Sequence, residues 1–167
     1  MLEHAHSVAP SFLHDTVNRS ALVMCALNGR TASNARLGRF GNLPHTSAVY
    51  LADCPATALL EVLVHFELSM DELPEELTLL RVELPEDVKA RDVRAELPAG
   101  WNDNLAITRR IGDAWLEEVE TLLLQVPTVI VPYNCNYLFN PLHPTAAKAT
   151  LTHFEFPMDP RLFQFDG

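Results

Sequence analysis

No stretch of this sequence approaches the roughly 18 consecutive apolar residues of a membrane span. The opening residues, MLEHAH, lack the basic-then-apolar order of a secretory signal. Cysteine is scarce. Cys25, Cys54 and Cys135 are odd in number, widely spaced and free of any Cys-x-x-Cys pair, which argues against a disulfide framework or a cysteine zinc site and fits a reducing, cytoplasmic compartment. The Gly-x-Gly-x-x-Gly and Walker patterns are absent, as are a Gly-x-Ser-x-Gly elbow and a Cys–His arrangement, so Rossmann, P-loop and triad chemistry find no support. His4 and His6 have no third partner at a recognisable ligand spacing, and no metal is expected. Repeats and low-complexity tracts are missing, and the 12 prolines are dispersed as punctuation.

What is present fits one globular domain: 167 residues, 48% hydrophobic and 20% charged. Twelve Lys+Arg against 22 Asp+Glu give a net charge of −10, so neither direct nucleic-acid binding nor an anionic membrane surface is expected. The distribution is uneven. Residues 16–52 contain no acid but hold Arg19, Arg30, Arg36 and Arg39, and an anionic ligand has its obvious place there.

Residues 1–18 read as an irregular arm and 19–167 as the domain. Strands are expected at 22–27, ending at the Asn28-Gly29 turn signal, and at 48–52, 77–84, 121–125, 128–131 and 149–156. A helix is expected over 55–68, capped by Asp53 or Cys54 with Pro55 in its first turn, and another over 111–119. Residues 86–104 read as a surface excursion and 134–144 as loop. Five or six short strands with helices inserted among them imply an α/β (α+β) domain built on a mixed sheet.

Within the first helix, Glu61 stands in Ala58-Leu59-Leu60-Glu61-Val62-Leu63-Val64, where an unpaired carboxylate is expensive to bury. Thr57, Glu61 and His65 are four apart and form one polar stripe. Such a stripe can face solvent or a cleft. Its single-residue width and its lack of Lys or Arg favour the cleft. Arg39 lies in Gly38-Arg39-Phe40-Gly41, where glycines permit close backbone approach and the guanidinium suits a phosphate. Tyr50 falls mid-strand, an ordinary packing position.

In order, Gly38-Arg39-Phe40, Val49-Tyr50-Leu51-Ala52, Ala58 to His65, Val126-Pro127-Thr128-Val129-Ile130-Val131-Pro132, Asn136-Tyr137-Leu138-Phe139-Asn140-Pro141 and Asp159-Pro160-Arg161 resemble the RES domain family over about residues 37–163. The resemblance implies an ADP-ribosyltransferase-like fold and the toxin of a toxin–antitoxin pair that degrades NAD by hydrolysis or phosphorolysis. The family's arginine, glutamate and serine fall on Arg39, Glu61 and Thr128, the last a departure that keeps the hydroxyl and adds a methyl. The usual upstream arginine falls loosely on Arg19. Implied roles are charge stabilisation and hydroxyl orientation by Glu61, pyrophosphate contact by Arg39, packing by Tyr50 on the nicotinamide or ribose, ligand hydrogen bonding by Thr128, and pocket shaping by Asn140. NAD is then substrate rather than cofactor, and a helix-turn-helix antitoxin is the implied partner, with a homodimer inside that complex. Three alternatives stay open: water or phosphate as acceptor, ADP-ribosyl transfer to a macromolecule, and an inactive NAD- or partner-binding module.

Overall fold

Short aliphatic and β-branched runs separated by Pro, Gly and Asn are too brief to be self-sufficient and gain stability by pairing side by side. In the computed structural model, which describes residues 21–27, 30–31, 39–41, 48–66, 76–157, 159 and 161, they form one sheet. Its strands are β1 (Ala21–Leu27), β2 (Arg30–Thr31), β3 (Val49–Ala52), β4 (Glu76–Glu83), β5 (Ala90–Asp92), β6 (Leu123–Pro127), β7 (Cys135–Phe139) and β8 (Thr150–Pro157). Helices α1 (Pro55–Phe66) and α2 (Leu105–Glu118) and 3₁₀ turns at Trp101–Asp103 and Pro144–Lys148 complete the described elements. Strand order is β5-β6-β7-β3-β1-β4-β8, with β2 on β1. Among the described strands only β5 and β6 run parallel, so this is the mixed sheet of an α+β domain.

The sheet is unevenly joined. β1 lies along β4 and β4 along β8, while β3 meets β1 through the single register pair Val23↔Ala52. On the β5–β3 side, side chains alternate between faces, as the pleat requires. Leu124, Val126 and Leu138 join Trp115 and Leu116 of α2 and Phe40 in one core; Leu123 and Tyr137 join Leu22, Leu51, Val82 and Leu84 in another. A third cluster lies under α1, where Ala58, Leu59 and Val62 meet Ala52 and Leu77. α1 begins at Pro55, whose missing N–H is harmless in a first turn, and Ala58 N–H closes on the Cys54 carbonyl at 3.1 Å. α2 starts earlier than its apolar spacing suggests, because the Asn104 side chain accepts from Ile107 N–H at 3.3 Å and caps it.

Three expectations are corrected. Residues 134–144 are not simply loop: β7 occupies Cys135–Phe139 between β6 and β3. Residues 128–131 are not a strand but a turn, because Ile130 N–H and Val131 N–H both donate to the Thr128 hydroxyl, at 3.1 and 3.2 Å. The stretch 86–104 contributes β5, which pairs with β6 from Ala90↔Leu123 to Asp92↔Gln125. The expected arm, with Arg19 just beyond it, lies outside the described residues.

Asn140 closes β7 from below. It is fully buried, its carbonyl oxygen accepts from Leu142 N–H at 2.9 Å, its amide nitrogen donates to the Leu116 carbonyl at 3.4 Å, and its backbone N–H donates to the Leu122 carbonyl at 3.0 Å. Asn140→Ala therefore strands buried backbone groups and should lower stability by about 1–3 kcal/mol. Urea unfolding reads this directly, and an unmoved midpoint would contradict the assigned role.

Candidate active site

Two members of the polar stripe on α1, Thr57 and Glu61, turn inward. Glu61 is half-buried, and its Oε1 accepts a hydrogen bond from the Asn136 amide nitrogen at 2.6 Å and one from the Thr128 hydroxyl at 3.2 Å. Both donors are buried. Asn136 comes from β7, where it is paired with Ala52 of β3 on one side and Val126 of β6 on the other. Thr128 comes from the turn after β6. A hydroxyl has one donor and two acceptor positions, and those of Thr128 are used by Glu61, Ile130 N–H and Val131 N–H. The methyl that distinguishes it from serine leaves these bonds intact.

One turn earlier on α1, Thr57 is buried and its hydroxyl accepts from the Asn134 amide at 3.0 Å. Asn134 also accepts the Thr128 backbone N–H at 3.3 Å. The α1 stripe and the 128–134 turn are therefore fastened at two levels, which sets the height at which Thr128 meets Glu61.

The second wall is the Arg39–Gly41 segment. Tyr50 holds it from β3: its hydroxyl accepts the Phe40 N–H at 2.8 Å and donates to the Phe40 carbonyl at 3.3 Å. From α2, the Thr108 hydroxyl donates to the Arg39 carbonyl at 2.8 Å. Gly112 brings the helix closer still; a Cβ there would meet Phe40 C at 2.8 Å, Phe40 O at 3.0 Å and Gly41 N at 3.1 Å. Gly41 has φ 128°, which side chains other than hydrogen rarely tolerate. The Arg39 guanidinium donates to the Asn102 carbonyl at 2.6 Å, tying the segment to the 3₁₀ turn before α2.

Burial pushes the Tyr50 phenol up to about 12, and the negative charge of Glu61 adds to the rise, while the bond to Phe40 and the charges of Arg39 and Arg109 oppose it. Glu61, Arg39 and Arg109 therefore converge electrostatically on one hydroxyl. Arg109 was not singled out in the sequence; it is half-buried, and its Nε is buried without a hydrogen-bond partner. Asn136 was quoted there only within a motif. The signal for it was the same as for Glu61, one polar side chain in an apolar element.

The structure thus brings together Glu61 and Thr128 by direct bonding, and Tyr50 and Arg39 through Phe40. Asn140 stands apart, four residues along β7 from Asn136 and about 13 Å away at 3.3 Å per residue. Its side chain is committed to α2 and to the following turn. Arg19 lies outside the described residues. Among the described residues, no group of three or more His, Cys, Asp or Glu is placed to hold a metal ion, and no helix is long and apolar enough to cross a membrane.

The RES domain family model matches residues 13–159. The chain is 44% identical over 118 residues to Toxin Res of Pseudomonas putida, covering 69% of this chain and 79% of that one. It is 35% identical over 151 residues to Toxin Res of Photorhabdus laumondii subsp. laumondii, covering 87% and 94%. It is also similar, at 40% identity over 103 residues, to the Prs ADP-ribosylating toxin of Sphingobium sp., covering 59% and 63%.

Two outcomes follow from the geometry. Gly112→Ala gains up to about 1 kcal/mol in helix propensity but drives Cβ into backbone that cannot yield cheaply, so a net loss of about 1–2 kcal/mol is expected in urea unfolding. A gain in stability would refute the contact. The Tyr50 hydroxyl titrates at higher pH folded than unfolded, so the stability it contributes is complete below pH 10 and is lost as pH rises towards about 12. Tyr50→Phe should flatten that decline, and an unchanged stability profile between pH 9 and pH 12 would contradict it.

Proposed function

We propose that this chain, which belongs to the RES domain family, is a toxin that consumes NAD by breaking its nicotinamide–ribose bond. The observation that carries the reading is the half-buried Glu61 carboxylate, fixed through one oxygen by Asn136 and Thr128. The names of the relatives, Toxin Res and Prs ADP-ribosylating toxin, support it.

The chemistry suits those residues. When the bond breaks, its electron pair goes to the nicotinamide ring nitrogen, neutralising the pyridinium, and positive charge develops on the ribose. A preorganised carboxylate stabilises that charge without reorganising, and it orients the ribose hydroxyls in the ground state. Oxygen Oε1 is already held by the protein, so the carboxylate cannot rotate away as substrate enters. Arg39 supplies the cation for the pyrophosphate, and Tyr50 keeps the Arg39 segment at its height. The acceptor, water or phosphate, then adds a lone pair to the ribose carbon and releases a proton to solvent.

Attachment of ADP-ribose to a macromolecule is a second reading, favoured by the name of the Sphingobium relative. Either activity would act on the cytoplasmic NAD pool and would require neutralisation by an antitoxin, for which a small helix-turn-helix protein, bound to a toxin homodimer, is our choice.

Mass analysis of the products formed from NAD, with and without phosphate, separates these readings. Free nicotinamide with ADP-ribose, or with its 1-phosphate, is expected; label left on protein or nucleic acid would favour transfer, and saturable binding without nicotinamide release would leave a binding module. Glu61→Gln should lower kcat by about 10²–10³-fold while the urea midpoint shows a folded protein. Full activity in that variant would sink the assignment.

A further inference from the structure

Asn136 holds the carboxylate on which the proposed reaction turns, and the following inference rests on that reading of Glu61. We propose that Asn136 is a positioning residue that holds the Glu61 carboxylate in one orientation, and that an amide occupies this position because an acid there would compete with Glu61 for a proton.

Three observations lead to this. The contact is short, 2.6 Å, as expected when an N–H meets a charged acceptor. Asn136 cannot retreat, because its backbone is paired on both sides, with Ala52 and with Val126, in a central strand. Its other amide atom, Oδ1, is buried without a hydrogen-bond partner. An unmet buried acceptor is destabilising, and a residue kept for packing alone would be better replaced by an apolar one. Flipping the amide gives no relief, since Oδ1 would then face Glu61 Oε1, acceptor against acceptor. The orientation is therefore imposed by Glu61, and the unmet carbonyl is its consequence.

Thr128 cannot substitute, because its hydroxyl is already fully engaged. The other groups around the carboxylate do not mimic its titration. Tyr50 faces it from β3 with a phenol pushed up to about 12, and Arg39 and Arg109 approach the same phenol as permanent cations. Asp53 precedes α1, and Asp113 of α2 lies beside Gly41, 3.8 Å from where a Cβ there would stand. His65 shares α1 with Glu61, and a His65→Gln background removes its titration from the measurement.

Asn136→Asp places a second carboxyl against Glu61, and two acids at that separation share one proton. The acid limb of kcat/KM for NAD should then move upward by one pH unit or more, with activity below the limb reduced at least tenfold and regained at higher pH. A purely structural role would lower activity equally across the pH range. The same question is read without turnover by ¹³C-carboxyl labelling of glutamate, the Glu61 resonance being the one lost in Glu61→Gln. That resonance should titrate differently once Asn136→Asp sets a second carboxyl beside it, and in Asn136→Ala, which serves alone should the Asp variant not fold, it should move and broaden at neutral pH as the carboxylate loses its fixed orientation. A Glu61 resonance unchanged in both variants overturns the proposal, even where NAD is cleaved. A moved resonance in a protein that does not cleave NAD upholds it and refutes the proposed reaction instead.

Discussion

The constraint on which this molecule is built is the solvation of one carboxylate. Taking Glu61 out of bulk water is tolerable only if other dipoles replace the water it loses, and the replacements come from far along the chain: an amide on β7 and a hydroxyl in the turn after β6. Each requires its own support. Asn136 needs the flanking pairings of β3 and β6, and Thr128 needs the tight turn whose backbone N–H groups it accepts. Much of the sheet's left half can be understood as the frame for two donors.

A second frame stands opposite. The Arg39 segment has little regular structure of its own and is held by others: Tyr50 from β3, Thr108 and Gly112 from α2, and the Asn102 carbonyl. These contacts are mostly hydrogen bonds to its backbone, so they fix the path of the segment whatever side chains it carries. The acid-free stretch read from the sequence is represented here by Arg39, and a second positive charge acting on the Tyr50 phenol comes from elsewhere, from Arg109 on α2.

Much of this was legible in the sequence, where local pattern and tertiary role agree. β1, β3, β4, β8 and the start of α1 follow their apolar runs and the Pro55 signal closely. The misreadings share a cause. Asn134, Asn136 and Asn140 gave residues 134–144 the composition of a loop, yet Asn136 is polar because it serves Glu61 and Asn140 because it closes the strand. Conversely, residues 128–131 are β-rich in composition, but the Thr128 hydroxyl offers their backbone a local partner, and this outweighs propensity. The resemblance put Glu61 and Thr128 in one site, but the bond between them, across 67 residues, was not read from the sequence. Nothing in the local pattern distinguished Arg109 from its neighbour Arg110.

The lateness of β7 in the chain has a consequence for synthesis. Glu61 leaves the ribosome long before Asn136, and β7 must insert between β6 and β3, whose sequences lie on either side of more than half the described chain. Such non-local pairing forms slowly and all at once. A nascent or truncated chain that ends before residue 135 therefore carries the carboxylate without its Asn136 donor. The order of strands thus delays the full set of donors around Glu61 until β7 has been synthesised.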